Sequence, residues 1–477
     1  MVVLVIISIL LVGLLLIATE NINKMNKAAV AMFVGVICWL LYIGYGTHFV
    51  IAEHQIDFLS YLSNHTVSNS SVKEFIAGSI FFKYIGNVAQ VVLFLLGTMT
   101  IVEVLNNNGC FDFIREWLRT RNPRRFLCVL TALTFVLSAN LDNLTTVCLM
   151  LGIMHAMIAD DKQRMIYGSV IIIAANCGGA FTVIGDVTSL AFWSNGLISP
   201  TNYASAVFLP CLTALVTITL LVMRTLPHRL SLVQNVAPYR GDDTILTRWQ
   251  RLLMLFVGIG GLWFIPTFHR ITLMPPFVGA LCVLSLLWIV NELCNSSLLG
   301  SDQMVRKRQP MALQYANIQH ILFFIGLTLA FGAIKETGIL DRFFEWNTTK
   351  LQNVYVIGGV MGGVFTATEA GAVMCALSAV FNNVTAVVAN ISVFSPDVIK
   401  TNTELYANFA QDGLYWPILS YTTAVGSSLL SIGTMAGFAL MRMEGVTLRW
   451  YVRHISGKVL AGWLVGLLVF YLATEVF

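Results

Sequence analysis

The sequence predicts an all-α polytopic membrane protein: about ten transmembrane spans, two re-entrant helical hairpins, and two inverted-topology repeats with broken helices. Three observations predict it. The chain is 57% hydrophobic and only 11% charged, where soluble globular proteins carry roughly a quarter charged residues. Apolar runs near the ~20 residues that cross a bilayer core as a helix recur along its whole length. And the chain resembles itself, in order, at three pairs of segments. An outer-membrane barrel is excluded, because ~10-residue segments of alternating polarity are not found.

The spans run over 2–18, 28–46, 85–106, 165–198, 203–226, 251–268, 271–291, 318–340, 412–443 and 457–474. No basic residue precedes 2–18, so it reads as a retained first helix rather than a cleaved signal. The longest loop expected outside the membrane is 47–84, too short for a second domain. The nine cysteines are scattered, mostly in apolar runs, without a CxxC pair, and read as buried thiols.

Two apolar stretches, 126–159 and 353–394, are interrupted by polar residues and are expected to be hairpins that return to the side they entered. Charge supports this. Both flanks of the first hairpin are basic, and both flanks of the second carry Asp341, Glu345, Asp397 and Glu404 instead. With the N- and C-termini outside, most of the 28 Lys and Arg fall in inside loops, as the positive-inside rule requires. The expected organisation is 1–84 as N-terminal scaffold and outer loop, 85–226 as first repeat with hairpin 126–159 and broken helix 165–198, and 227–317 as linking helices. The second repeat follows over 318–455, with hairpin 353–394 and broken helix 412–443, and 456–477 is the last helix.

The repeat rests on three matches. SANLDNLT (138–145) pairs with SAVFNNVT (378–385), GGAFTVIGD (178–186) with GSSLLSIGT (426–434), and the glycines Gly97 and Gly109 with Gly326 and Gly338. The offsets are 240, 248 and 229. Because the first half enters at 85 from outside and the second at 318 from inside, the repeats are inverted.

These motifs have the composition of an ion site. Non-helical backbone at membrane depth survives only inside protein or along a cavity, and each break exposes amides and carbonyls at half-helix ends. Ser, Thr and Asn add neutral oxygens, which suit a hard cation such as Na+ or Li+. The expected ligands are Asp142, Asn143, Thr145, Asp186, Thr188, Asn382, Asn383, Thr385, Ser428 and Thr434. Asp142 and Asp186 carry the coupling, since an ionisable group inside a span is expensive and functional by default. Either a cation or a proton relieves a desolvated carboxylate, and their mutual exclusion couples one flux to the other. Glu103, near the inner end of its span, is a further coupling candidate, with snorkelling as its other reading. The four motifs hold two aspartates and no Lys, Arg or His, which favours a cation over a dicarboxylate. No phosphate-binding loop appears, and neither an enzyme nor a cofactor is expected. The partners expected are membrane lipid, monovalent cations and protons, with no nucleic acid.

Over roughly residues 85–455 the chain resembles the NhaD sodium/proton antiporters of the ion-transporter superfamily, which also includes divalent-anion/sodium symporters. The resemblance is carried by SANLDNLTT, AANCGGAFTVIGDVTS, TMTIVEVL with Glu103, and GSSLLSIGTMAGFALMRME. It implies secondary Na+(Li+)/H+ exchange by alternating access, a scaffold domain, a transport domain with two hairpins, a homodimer and an elevator-like shift. In the family the second hairpin tip also carries an Asp-Asn pair, whereas here the positions are Asn382 and Asn383. Asn382 cannot hold a proton; either the proton stoichiometry is lower or Glu369 substitutes. The runner-up is a sodium-coupled symporter of an anion or small organic acid on the same scaffold. His155 is a pH-sensing or structural group, Lys335 and Glu336 are expected at the interface, and the amphipathic stretch 111–125 is expected on the inner membrane surface. Short loops point to a bacterial inner membrane.

Overall fold

A computed structural model describes residues 2–23, 25–62, 68–227, 229–233, 246–295, 311–339, 378–380, 382–393 and 409–476. These residues are helical, with a single isolated bridge between Ile158 and Leu232. Among the described residues seven helices are long and apolar enough to cross a membrane, and the protein is a multi-pass membrane protein. Most of the hairpin expected at 353–394, including Glu369, lies outside the described residues, as do Asp341, Glu345, Asp397 and Glu404.

The helices begin where the sequence supplies caps. Helix α1 (Val2–Ala18) leads to α2 (Lys27–Gly44), whose N-cap Asn26 accepts the Ala28 amide at 2.9 Å. Short helices α3 (Gly46–Glu53) and α4 (Gln55–Leu62) precede α5 (Asn69–Asn107), a 39-residue helix with a π-helical stretch at Ile76–Phe81. The stretch 47–84 is therefore helical for most of its length rather than an open loop. Its polar residues (Asn69, Lys73, Glu74, Lys83) mask a helix that extends beyond the apolar run, and a π turn shifts the face it presents.

After the short α6 (Phe113–Trp117), α7 (Pro123–Ser138) starts on the Asn122 cap with proline in its first turn, where the missing N–H carries no penalty. Then follow α8 (Asn143–Met157), α9 (Asp161–Ala180), α10 (Val187–Ser194) and α11 (Pro200–Met223). A Thr247–Gln250 capping box opens α12 (Arg248–Thr272), and Leu273 in the left-handed conformation ends it before α13 (Pro276–Cys294). The last elements are α14 (Met311–Lys335), α15 (Asn383–Val393), α16 (Tyr415–Gly426), α17 (Met435–Glu444) and α18 (Leu448–Ala473).

Packing sorts these helices into two groups with a seam. In the first, α2 lies along α14, α1 covers α2, α5 packs on α13 and α14, and α12 packs on α13. The α2–α14 contact is close because glycines meet there. A Cβ on Gly35 would stand 2.7 Å from the Gly326 carbonyl oxygen, so small residues are needed for backbone approach. In the second group α9 is central, packed by α7, α8, α11, α16 and α17, with α18 along α11. The short helices α10 and α15 lie at the seam: α10 touches α5 and α15, while α15 touches α14 and α16.

One smaller expectation changes. Cys128 and Cys282 are exposed rather than buried. Glu336, just past the end of α14, is half-buried, its carboxylate held between His54 (2.5 Å) and the Tyr84 hydroxyl (2.7 Å). Hydrogen bonding to Glu336 pulls the His54 imidazole above its usual range. Burial opposes the charge on Glu336, yet its bonds from His54 and Tyr84 win and hold it below the usual carboxylate range.

Candidate functional site

Two chain breaks, 181–186 and 430–434, interrupt what would otherwise be continuous helices α9–α10 and α16–α17. At each break, and at the starts of α8 and α15, a polar side chain caps the next helix. Asp142 caps α8, its Oδ2 accepting the Thr145 amide at 3.2 Å and the Thr145 hydroxyl at 3.4 Å. Asp186 caps α10, accepting the Thr188 amide at 3.5 Å. Asn382 accepts the Val384 amide at 3.0 Å at the start of α15, and Thr434 accepts the Gly437 amide at 3.0 Å at the start of α17. Asn and Thr replace Asp readily in this role, because all four caps need only one acceptor oxygen.

The segments that lead into α8 and α15 reach the two breaks by the same bonds. The Ser138 hydroxyl donates to the Ala175 carbonyl and the Ser378 hydroxyl to the Thr423 carbonyl, both at 2.6 Å. The Asn143 amide donates to the Gly185 carbonyl (3.1 Å) and the Asn383 amide to the Gly433 carbonyl (3.3 Å). Farther out, the Tyr203 hydroxyl donates to the Ala180 carbonyl (2.5 Å) and the Tyr451 hydroxyl to the Ser428 carbonyl (2.9 Å). Every one of these pairs keeps the 240 or 248 offset of the sequence matches.

Side chains then bridge the two halves. Asn383 Nδ2 donates to Asp186 Oδ2 at 3.2 Å, bringing the start of α15 onto the first break. Asn176 Nδ2 donates to the Ser428 hydroxyl at 2.9 Å, and its Oδ1 accepts Asn143 Nδ2 at 3.5 Å. Asn176 was not among the expected ligands. The signal was present, an amide inside the apolar run VIIIAANCGG, but its counterpart at the 248 offset is Ala424, so the repeat did not flag it.

The caps are sealed from solvent: Asp142 is 3% exposed and Asp186 2%. Five buried polar atoms here have no partner: Asp142 Oδ1, Thr146 Oγ1, Thr188 Oγ1, Thr385 Oγ1 and Asn382 Nδ2. Buried polar atoms are nearly always satisfied in folded proteins, so the four unpaired oxygens at or within the first turn of α8, α10 and α15 call for a ligand of opposite polarity. Among the described residues no Lys, Arg or His hydrogen-bonds to any of these caps. Asn382 holds φ at +84°, a left-handed conformation in which asparagine is far better tolerated than bulky residues.

Of the expected ligands, Asp142, Asn143, Thr145, Asp186, Thr188, Asn382, Asn383, Ser428 and Thr434 join this bonded network, and Thr385, in the first turn of α15, is buried with an unpaired hydroxyl oxygen. Glu103 sits instead one turn before the end of α5, partly exposed. His155 lies on the other end of α8, its Nδ1 2.9 Å from Glu444, which also takes a bond from Arg164 at 2.8 Å. That cluster ties α8, α9 and α17 together away from the caps.

Comparison with known proteins adds the family. The model of the citrate transporter family (CitMHS) matches residues 3–402. Sodium/proton antiporter 1 of Arabidopsis thaliana is 32% identical over 380 residues, 80% of this chain; the match spans 61% of that protein's length. Sodium/proton antiporter 2 of the same plant is 32% identical over 82% of this chain and 86% of its own length. The Na(+)/H(+) antiporter NhaD of Vibrio cholerae is 27% identical, covering 74% of this chain and 71% of its own.

Proposed function

Because the chain belongs to the ion-transporter family that the citrate transporter model describes and is of the NhaD type within it, we propose that it is a secondary transporter exchanging Na+ or Li+ for H+ by alternating access. The observation that carries this reading is the pair of capping aspartates with unpaired oxygens nearby in sequence and, among the described residues, no basic side chain bonded to them. The cation takes oxygens from Asp142, Thr146 and Thr188, with Asp186 held against Asn383. A proton on the same carboxylates is the other way to relieve their burial. A cation and a proton exclude each other at one site, and exclusion is what couples opposite fluxes.

The family model is described by citrate, which keeps an anion symporter as the second reading. A citrate bound at these caps would face two carboxylates without a bonded cation, an arrangement that like-charge repulsion disfavours. The repeated bonds at offsets 240 and 248 support inverted repeats carrying two re-entrant tips. The basic loops support N- and C-termini outside and a cytoplasmic-membrane location. At its two caps, Asn382 and Thr434, the second half contributes ligands without a titratable group, which leaves either a lower proton stoichiometry or Glu369 as the substitute.

Purified protein in liposomes enclosing a pH-sensitive dye tests the proposal. Added Na+ or Li+ moves protons and citrate or succinate does not. Absence of a proton signal with every monovalent cation refutes it, and a sodium-dependent citrate uptake would install the second reading.

A further inference from the structure

Lys27 opens α2, yet its side chain does not reach water: the residue is 3% exposed and its ammonium has no hydrogen-bond acceptor. Lysines near helix ends ordinarily snorkel to the interface, so a sealed one is expensive and demands a reason. Its surroundings are specific. The ammonium lies 3.7 Å from the centroid of the Phe438 ring and 5.6 Å from that of Phe323. The nearest carboxylate oxygen, on Glu20, is 3.9 Å away and also lacks a hydrogen bond. His320, one turn before Phe323 on α14, is buried with both ring nitrogens unpartnered.

Phe438 belongs to the other packing group. It sits on α17, which packs on α8 and α9, whereas Lys27, Phe323 and His320 belong to α2 and α14. On α17 the residues Thr434, Phe438 and Arg442 are spaced four apart and form one stripe. Thr434 is the cap at the candidate site, so the ring that meets Lys27 is one turn from it. Lys27 thus joins the two groups through a half-helix that carries a ligand.

We propose that Lys27 is a positioning residue for transport: its ammonium, seated on the Phe438 ring, holds α17 against α2 and α14 in the position seen here, and it leaves the ring when the half-helix shifts. This rests on alternating access as proposed above. A ring face attracts a cation and not a neutral chain of the same length, and the attraction is strongest where water is excluded. Glu20 at 3.9 Å keeps the ammonium near its place without capturing it in a short ion pair. The contact therefore biases the position of α17 without locking it.

The test uses two thiols the fold already exposes, Cys128 on α7 in one group and Cys282 on α13 in the other, with Cys294 and Cys375 replaced by serine. Spin labels on them report the separation of the groups in liposome-reconstituted protein. In Lys27→Met the population of a second separation rises by about 30-fold relative to the first, the factor corresponding to a ~2 kcal/mol desolvated cation–π contact. Phe438→Leu does the same, the double variant goes no further than either single one, and Lys27→Arg stays at the wild-type distribution. An unchanged distribution in Phe438→Leu, or additive effects in the double variant, overturns the proposal. Exchange is assayed on the same liposomes. If the wild type exchanges no monovalent cation for protons, the transport reading fails, while the label distances still decide whether Lys27 holds α17.

Discussion

Replacing Asp142 by Asn separates its two jobs. As a cap it needs one oxygen to accept the Thr145 amide, at 3.2 Å from Oδ2, and asparagine caps about as well as aspartate. Stability should therefore change by less than ~0.5 kcal/mol. As a ligand it loses a full negative charge beside the unpaired Oδ1. At an effective dielectric near 20, a unit charge ~4 Å from a cation is worth about 4 kcal/mol, or roughly a thousandfold in affinity at 1.4 kcal/mol per decade. Asp186 remains to hold part of the ion, so the expected loss in apparent Na+ affinity is at least a hundredfold. The assay is dye-monitored exchange across a Na+ titration, paired with thermal unfolding in detergent. Asp142→Ala should show the same loss of transport and an additional ~1 kcal/mol of destabilisation from the missing cap. Wild-type Na+ affinity in Asp142→Asn would refute the assignment, and a collapse of its melting temperature would show that its role is structural.

Other substitutions probe the rest of the site. Asn383→Leu removes the amide that donates to Asp186 at 3.2 Å and should weaken Na+ binding about tenfold, measured by the same titration, with protein yield maintained. Gly185→Ala places a Cβ 2.6 Å from the Ser138 carbonyl oxygen; it should abolish exchange by parting the tip from the break, with unfolding shifted to lower temperature. Asn382→Asp restores a titratable group in the second half, and charge movement per cation, read as current on a solid-supported membrane, should change. For the His54–Glu336 pair the sign is set by both shifts. His54, pulled up by Glu336, contributes fully below its ordinary range and loses that contribution as pH rises through its raised value. Glu336, held low, contributes above its ordinary range and loses that as pH falls through its depressed value. Glu336→Gln should thus lower stability by about 2 kcal/mol near neutrality, and the gap in melting temperature should close in alkali.

Much of this site is legible in the sequence because its logic is local. A helix break needs a cap, a cap needs an acceptor, and SANLDNLT and GGAFTVIGD display theirs beside Gly and Ser within apolar runs. Gly109 and Gly338 likewise share left-handed φ values of 66° and 67°, as the 229 offset suggests. What stays hidden is whatever depends on distant partners. Asn176 looks like one more helical residue until Ser428 and Asn143 meet it. Glu336 looks like one more charge at a helix end until His54 and Tyr84 meet it, and Lys27 looks like one more charge just ahead of a span until α17 lays Phe438 across it. The start of α5 was illegible for another reason: bilayer-length hydropathy marks where a helix crosses lipid, not where it begins.

The bond from Asn383 to Asp186 has a consequence for how the chain is made. Its two ends are separated by 197 residues, and the Thr434 cap lies 51 residues later still. At roughly 5–20 residues per second, tens of seconds pass between synthesis of the second aspartate and arrival of the last cap. During that interval the first half carries two carboxylates into the bilayer without the groups that complete their surroundings. A nascent chain in this condition keeps them protonated or lets the break remain near the headgroups until the second half arrives. Truncation before residue 383 should accordingly leave the first half a substrate for membrane quality control, even though every helix it needs to span the bilayer has already been made.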